Sequence, residues 1–148
     1  MNERIVALDI GDVRIGIAVS DPSRTIATPV DVLTRVGWGP DTRAIMAVCE
    51  RYETTQVLSG LPLNMDSTEG FQARKVRDLC AHLEKAGLTV FFQDERLSTV
   101  AAEDALLEGS LSRADRRTRV DKIAAAIFLQ EWLDAQHGKY NIQEGYHV

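Results

Sequence analysis

Three β-type segments follow one another before the first helical pattern, and this order is the strongest constraint on the fold. Residues 4–9, 14–20 and 26–33 are rich in isoleucine and valine and are separated by turn sequences, which predicts a hairpin and a third strand. Two more apolar strands, residues 56–60 and 89–95, then alternate with helical patterns. This order predicts an α/β fold in which a mixed five-stranded sheet carries helices on both faces.

Four helices are expected around these strands, and the first two show one apolar face each. The first begins at the Gly-Pro pair 39–40 and the second at about Thr68. A third begins at Ser98 or Thr99, and the last covers residues 120–133. The stripes expected to be buried comprise Ile45, Val48, Cys49 and Tyr52 in the first helix and Val76, Leu79, Cys80 and Leu83 in the second.

The length and the composition indicate one globular domain. A chain of 148 residues predicts a domain over 1–138, followed by a flexible tail over 139–148. The sequence contains neither a secretory signal pattern nor an apolar run of membrane-spanning length, so we expect a cytoplasmic protein with no membrane partner. Two cysteines are read as buried reduced thiols, and the net charge of −5 argues against bulk coating of nucleic acid.

Asp9 ends the first apolar strand. Alternation along the strand places it on the same face as Ile5 and Ala7, which we expect to be covered by a helix. A carboxylate in such a place costs several kcal/mol unless it is neutralised, paired or bound to metal. The alternative is an ordinary turn aspartate, because Asp before Gly is common in turns.

Glu95 ends the fifth strand in the same way, on the face that Phe91 and Gln93 share. The alternative interpretation is a solvated strand end paired with Arg96. Asp94 points to the opposite face and is the weaker candidate.

Asp121 opens the last helix and heads its inward stripe, which continues through Ala124, Ala125 and Phe128. The alternative is an acid favoured in a first turn by the helix dipole. Three acids without a suitable histidine set are the oxygen ligands that Mg²⁺ or Mn²⁺ prefers. Asp9, Glu95 and Asp121 are therefore the predicted metal ligands.

Basic residues crowd the segment around Asp121 in spite of the acidic total charge. Side chains of this kind contact phosphates and position a strand without reading its sequence. The alternative is a solvated basic helix start with a capping box formed by Ser112 and Asp115. The predicted nucleic-acid contacts are Arg113, Arg116, Arg117, Arg119 and Lys122, together with Arg14 and Arg96.

Four stretches in order, LDIGDVRIGIAVSD, GLPLNMDSTEG, DERLST and VDKIAAAIFLQ, resemble the YqgF/RuvX family. The resemblance implies a ribonuclease H-like fold and a metal-dependent phosphodiester hydrolase with Asp9, Glu95 and Asp121 as its acidic set. It implies precursor 16S ribosomal RNA as substrate, or branched DNA in a Holliday junction. Val13 and Ser67, in two loops, depart from residues that are usual in the family.

Two further functions stay open at this point. One is a nucleotide site of the actin or sugar-kinase type, which would need a second phosphate loop that the sequence lacks. The other is an RNA-binding or assembly module without catalysis, which a missing acid would have favoured. The sequence is compatible with a monomer or a homodimer.

Overall fold

The computed structural model describes residues 3–94 and 113–138, with side chains described for all of these except 113–121. Its sheet has the strand order β3-β2-β1-β4-β5. Neighbours β1, β2 and β3 pair antiparallel, whereas β4 runs parallel to both β1 and β5. The predicted mixed sheet is confirmed. Its strands are β1 (Val6–Ile10), β2 (Arg14–Ser20), β3 (Ala27–Thr34), β4 (Gln56–Leu61) and β5 (Thr89–Asp94).

Three helices lie in the described part of the chain: α1 (Trp38–Arg51), α2 (Phe71–Lys85) and α3 (Arg113–Gln136). The expected start of α2 at Thr68 is wrong, because residues 62–70 form a loop whose polar groups bond one another, as in the Asn64 N–H to Thr68 O bond of 2.8 Å. The last helix begins by Arg113, earlier than expected. The helix expected from Ser98 or Thr99 and the tail 139–148 lie outside the described residues.

The two faces of the sheet carry separate cores. One face packs Val6, Leu8 and the alternate residues of β2 and β4 against the stripes of α1 and α2. The other packs Ile5, Ala7 and Leu58 against α3, where Phe128 and Leu129 are fully buried. Because strand residues alternate between faces, each apolar strand supplies both layers, which explains the lack of alternation in its sequence. Helices on both faces are confirmed.

The two cysteines belong to the layer beneath α1 and α2. Cys49 and Cys80 are free and buried, as expected. Burial raises the pKa of each thiol to about 11, so both stay protonated near neutral pH. No described helix is long and apolar enough to cross a bilayer.

Asp21 organises the turn between β2 and β3. Its carboxylate accepts hydrogen bonds from the Ile26 N–H at 3.0 Å, the Ser23 hydroxyl at 2.6 Å and the Thr25 N–H at 2.7 Å. These bonds lower the pKa of Asp21 from 3.8 to about 2, and the bond from Ile26 has the largest effect.

We expect Asp21→Asn to remove part of the acid sensitivity of the protein. A lowered folded-state pKa contributes stability above the unfolded value of 3.8, and that contribution is lost as the pH falls towards about 2. The wild type should therefore exceed the variant in free energy of unfolding near neutral pH, and the two should converge at about pH 2. Urea unfolding across this range checks it; a difference that stays constant with pH would contradict it.

Candidate active site at the carboxyl edge

Asp9 lies near the carboxyl end of β1, the central strand of the sheet. It pairs with Gly16 of β2 and is half-buried. Its face is that of Ile5 and Ala7, which belong to the layer packed against α3. The strand continues one residue further than expected, to Ile10. Asp9 thus occupies the edge at which open α/β sheets commonly place their sites.

The direction of α3 follows from the contacts of Gln130, in its second half, and of His137, which follows its last residue. The Gln130 amide accepts a bond from the Ala27 N–H at 2.9 Å and donates to the Thr25 carbonyl at 2.8 Å. His137 contacts the Arg24 carbonyl at 2.7 Å. These partners form the β2–β3 turn, which lies at the amino end of β1. The second half of α3 is therefore at that end, and the helix runs antiparallel to β1.

This direction brings the backbone of Asp121 to the level of Asp9. Ala27 pairs with Ser20, whose N–H bonds the Ile5 carbonyl at 3.0 Å, so Gln130 is level with Ile5. From Ile5 to Asp9 the strand rises about 13 Å at its usual rise per residue. From Gln130 back to Asp121 the helix spans about 14 Å. The two chain positions therefore lie at about the same height along β1, near its carboxyl end.

The third predicted acid lies just past the described residues. Glu95 and Arg96 are outside them, and β5 is described up to Asp94, which is exposed. Gln93 pairs with Gly60 of β4, and β4 runs parallel to both β1 and β5. The strand β5 therefore ends at the same carboxyl edge as β1.

The predicted basic contacts are divided between helix and strand. Arg113, Arg116, Arg117 and Arg119 belong to the first two turns of α3, and their side chains are not described. Arg14 begins β2 beside Thr34 of β3, and it is half-buried, as is Lys122. The first two turns of α3 precede Asp121, so they continue along the helix past the level of Asp9, beyond the carboxyl edge.

Residues 62–70 follow β4 at this edge and close on themselves. Asp66 accepts from the Thr68 hydroxyl at 2.6 Å, and Glu69 holds Arg77 through two bonds of 2.6 Å. Ser67 has a φ of 70°, in the left-handed region where glycine is favoured. This backbone explains why glycine suits the position, and in this chain serine adopts it.

The turn between β1 and β2 needs a glycine for steric reasons. The Gly11 N–H donates to the Arg14 carbonyl at 2.8 Å. A Cβ at Gly11 would lie 3.0 Å from that same oxygen. Gly11 therefore serves the turn geometry that sets the direction of the chain after Asp9.

A cavity lies at the same edge, on the side of α1 and α2, and the sequence patterns did not predict it. It has a volume of about 410 Å³, and Arg35, Trp38 and Lys75 contribute to its wall. Asp41 lies at its base, where it accepts from Arg35 Nε at 2.7 Å and from the Val36 N–H at 2.9 Å. Burial alone would raise the pKa of Asp41, but these hydrogen bonds outweigh it and lower the pKa.

Among the described side chains, no group of three or more histidine, cysteine, aspartate or glutamate residues is arranged to hold a metal ion. Asp9 is the one member of the predicted acidic set whose side chain is described. The structure therefore places Asp9 and the helix position of Asp121 at one edge, where β5 ends at Asp94.

Comparison with known proteins defines first the class and then the family. The sheet order and the helices on both faces form a ribonuclease H-like fold. Thermus thermophilus RuvC in complex with a Holliday junction shares it with a TM-score of 0.56 at 16% identity, covering 92% of this chain and 96% of the other. The fowlpox virus resolvase bound to Holliday junction DNA gives a TM-score of 0.55 at 12% identity, covering 90% and 98%.

The family follows from the sequence. Residues 3–135 match the family model described as "RuvX: Holliday junction resolvase". A Clostridium tetani protein named "Putative pre-16S rRNA nuclease" is 44% identical over 92% of this chain and 99% of its own length. A Clostridium perfringens protein of the same name is 45% identical over 88% and 96%. The chain belongs to the RuvX family, and the resemblance read from its motifs is confirmed.

Proposed function

We propose that this protein is a metal-dependent nuclease that hydrolyses phosphodiester bonds in precursor 16S ribosomal RNA, in the cytoplasm. One observation carries the proposal. The antiparallel course of α3 along β1 brings the chain at Asp121 level with Asp9, at the carboxyl edge where β5 also ends. Family membership supports nuclease chemistry, and the names of the clostridial relatives support the RNA substrate.

The proposed acidic set is Asp9, Glu95 and Asp121, and its chemistry fits Mg²⁺ or Mn²⁺. Carboxylate oxygens are the ligands these hard cations prefer. Such an ion, when bound, supplies an activated water and neutralises the charge that develops on the phosphate. Asp9 is held firmly, because β1 has a strand on each side and a helix layer on each face.

The proposed strand contacts come from the first half of α3, with Arg14 and Arg96 beside the acids. Arg113, Arg116, Arg117, Arg119 and Lys122 lie within ten residues of one another, on the helix that also carries Asp121. Their placement at the edge of Asp9 supports a role in holding the phosphates that flank the scissile one. The chain acts as a monomer or a homodimer in this proposal.

Replacing Arg116, Arg117 and Arg119 together by alanine should weaken RNA binding while turnover at saturation stays close to that of the wild type. Phosphate contacts away from the reacting phosphorus stabilise the bound substrate and the transition state alike. Each contact that is lost should lower the slope of log affinity against log salt by roughly 0.7 for a single strand. Fluorescence anisotropy over a salt series measures the slope.

The matched control replaces Arg43, Arg51 and Arg74 by alanine, which removes the same charge from α1 and α2. This variant should keep the wild-type slope. An unchanged slope in the α3 variant would exclude this segment from the substrate path.

A second candidate function is cleavage of a Holliday junction. The family description and the two resolvase structures of the same fold favour it. The two functions are separated by a cleavage assay on precursor 16S RNA, single-stranded DNA and a four-way DNA junction, each with Mn²⁺ and with EDTA. We expect cleavage of the RNA in the presence of Mn²⁺ and no cleavage in EDTA. Cleavage of the junction only would favour the second candidate, and activity in EDTA would refute the metal-dependent mechanism.

A further inference from the structure

We propose that the cavity beside the β1–β2 turn binds one unpaired base of a single-stranded RNA. The inference rests on the proposed function, since it assumes an RNA strand held at Asp9. The cavity has a volume of about 410 Å³, within the usual range of about 300–1,000 Å³ for small-molecule pockets. Its wall combines planar, apolar and hydrogen-bonding groups, which is the combination that a nucleobase requires.

Two planar side chains line the cavity. The Arg35 guanidinium lies over the Trp38 indole, 5.7 Å from the ring centroid, and both residues line the space. His82 stacks on the same indole at 5.3 Å and 6°, and it is not part of the lining, so it supports Trp38 from elsewhere. Unstacked RNA bases pack on aromatic rings and on arginine planes of this kind.

The charges of the lining favour a base over a phosphate. Arg35 is paired with Asp41 at 2.7 Å, and Lys75 is paired with Asp12 at 3.2 Å. The two cations are thus balanced by two carboxylates, so the lining offers no excess positive charge to a phosphate. A neutral base carries donors and acceptors, which the Asp12 carboxylate and the Lys75 ammonium can meet.

The polar groups of the cavity are preorganised. Arg35 is fixed by Asp41 and also donates from Nη1 to the Gly11 carbonyl at 2.8 Å. Asp41 is only 3% exposed. By contrast Trp38 is 42% exposed and Val36 is 76% exposed, so apolar surface is left open at the mouth. Rigid polar groups beneath open apolar ones reduce the entropy lost when a ligand binds.

The position of the cavity connects it to the proposed active site. Asp12 contributes to its wall and lies three residues after Asp9, a chain distance of at most about 11 Å. The Gly11 carbonyl that holds Arg35 belongs to the same turn. An RNA strand that crosses the carboxyl edge at Asp9 therefore meets the cavity directly beyond the β1–β2 turn.

The test measures binding without cleavage. A short fluorescent single-stranded RNA, and derivatives that each lack one base, are titrated in EDTA with the wild type and with Trp38→Ala. We expect one abasic derivative to bind the wild type roughly 5- to 150-fold more weakly than the intact RNA. Trp38→Ala should lose a similar factor for the intact RNA and should no longer distinguish that derivative. Trp38→Phe, which keeps a ring, should recover part of the discrimination.

Ile26→Ala is the matched control, because Ile26 is 57% exposed at the opposite edge of the sheet. It should bind every RNA as the wild type does. If the wild type binds all derivatives equally, or if Trp38→Ala weakens intact and abasic RNA by the same factor, the inference is overturned. A protein that discriminates the abasic RNA yet cleaves nothing with Mn²⁺ would refute the proposed function and uphold the cavity.

Discussion

Replacing Asp9 by asparagine should reduce RNA cleavage by at least about 100-fold, the scale of loss when one preorganised electrostatic group leaves an active site. Asparagine keeps the size of the side chain in β1, so the pairing with Gly16 and the layer beneath α3 should remain. The change removes a negative charge from the proposed metal site. We therefore expect a folded, inactive protein that melts at or above the wild-type temperature when no metal is added, because repulsion among the acids is relieved.

The same variant tests the metal directly. A cation that binds the native state better than the unfolded chain raises stability by about 2.7 kcal/mol at 100 times its dissociation constant. The wild type should therefore gain melting temperature across a Mg²⁺ or Mn²⁺ titration, and Asp9→Asn should not. Asp78→Asn on α2 is the matched control, since it removes the same charge from an exposed site on the other face. Equal shifts in all three proteins would mean that the metal binds elsewhere.

Local sequence patterns predicted the strands and the faces well. Isoleucine and valine runs bounded by Gly-Asp and Pro-Ser turns specify β2 as Arg14–Ser20, and they place Asp9 on the face of Ile5 and Ala7. These features depend on residues close together in the chain. Alternation and turn chemistry therefore carry enough information to assign them.

Local patterns could not predict features that are formed by residues far apart in the chain. The cavity depends on Arg35 reaching Gly11 and on Lys75 reaching Asp12, contacts that only the assembled sheet creates. In the sequence, the available signal for the cavity was Trp38, three residues after Arg35. The helix α2 begins later than predicted for a similar reason. The hydrogen bonds between Asn64 and Thr68 favour a closed loop over another helical turn.

Phe128→Ala should destabilise the protein by about 3–5 kcal/mol, the usual cost of deleting a fully buried phenyl ring. Phe128 is 0% exposed and packs in the layer formed by Ile5, Ala7 and α3. Ala124 and Ala125, one turn earlier, are small and cannot fill the space it would leave. The loss should be measured as the free energy of unfolding in urea, with Phe71→Ala, a ring 69% exposed on α2, as the control that changes little.

A milder substitution of Phe128 separates its effect on the position of α3 from its effect on folding. Asp121 lies seven residues before Phe128 on α3, so the packing of this ring fixes how the helix approaches β1 and hence Asp9. Phe128→Leu keeps more of the apolar volume than Phe128→Ala and should cost less, which leaves the protein folded. We expect this variant to cleave more slowly at a temperature where it is fully native, because small displacements of reacting groups are costly. Wild-type turnover in a folded Phe128→Leu protein would show that the placement of Asp121 does not depend on this contact.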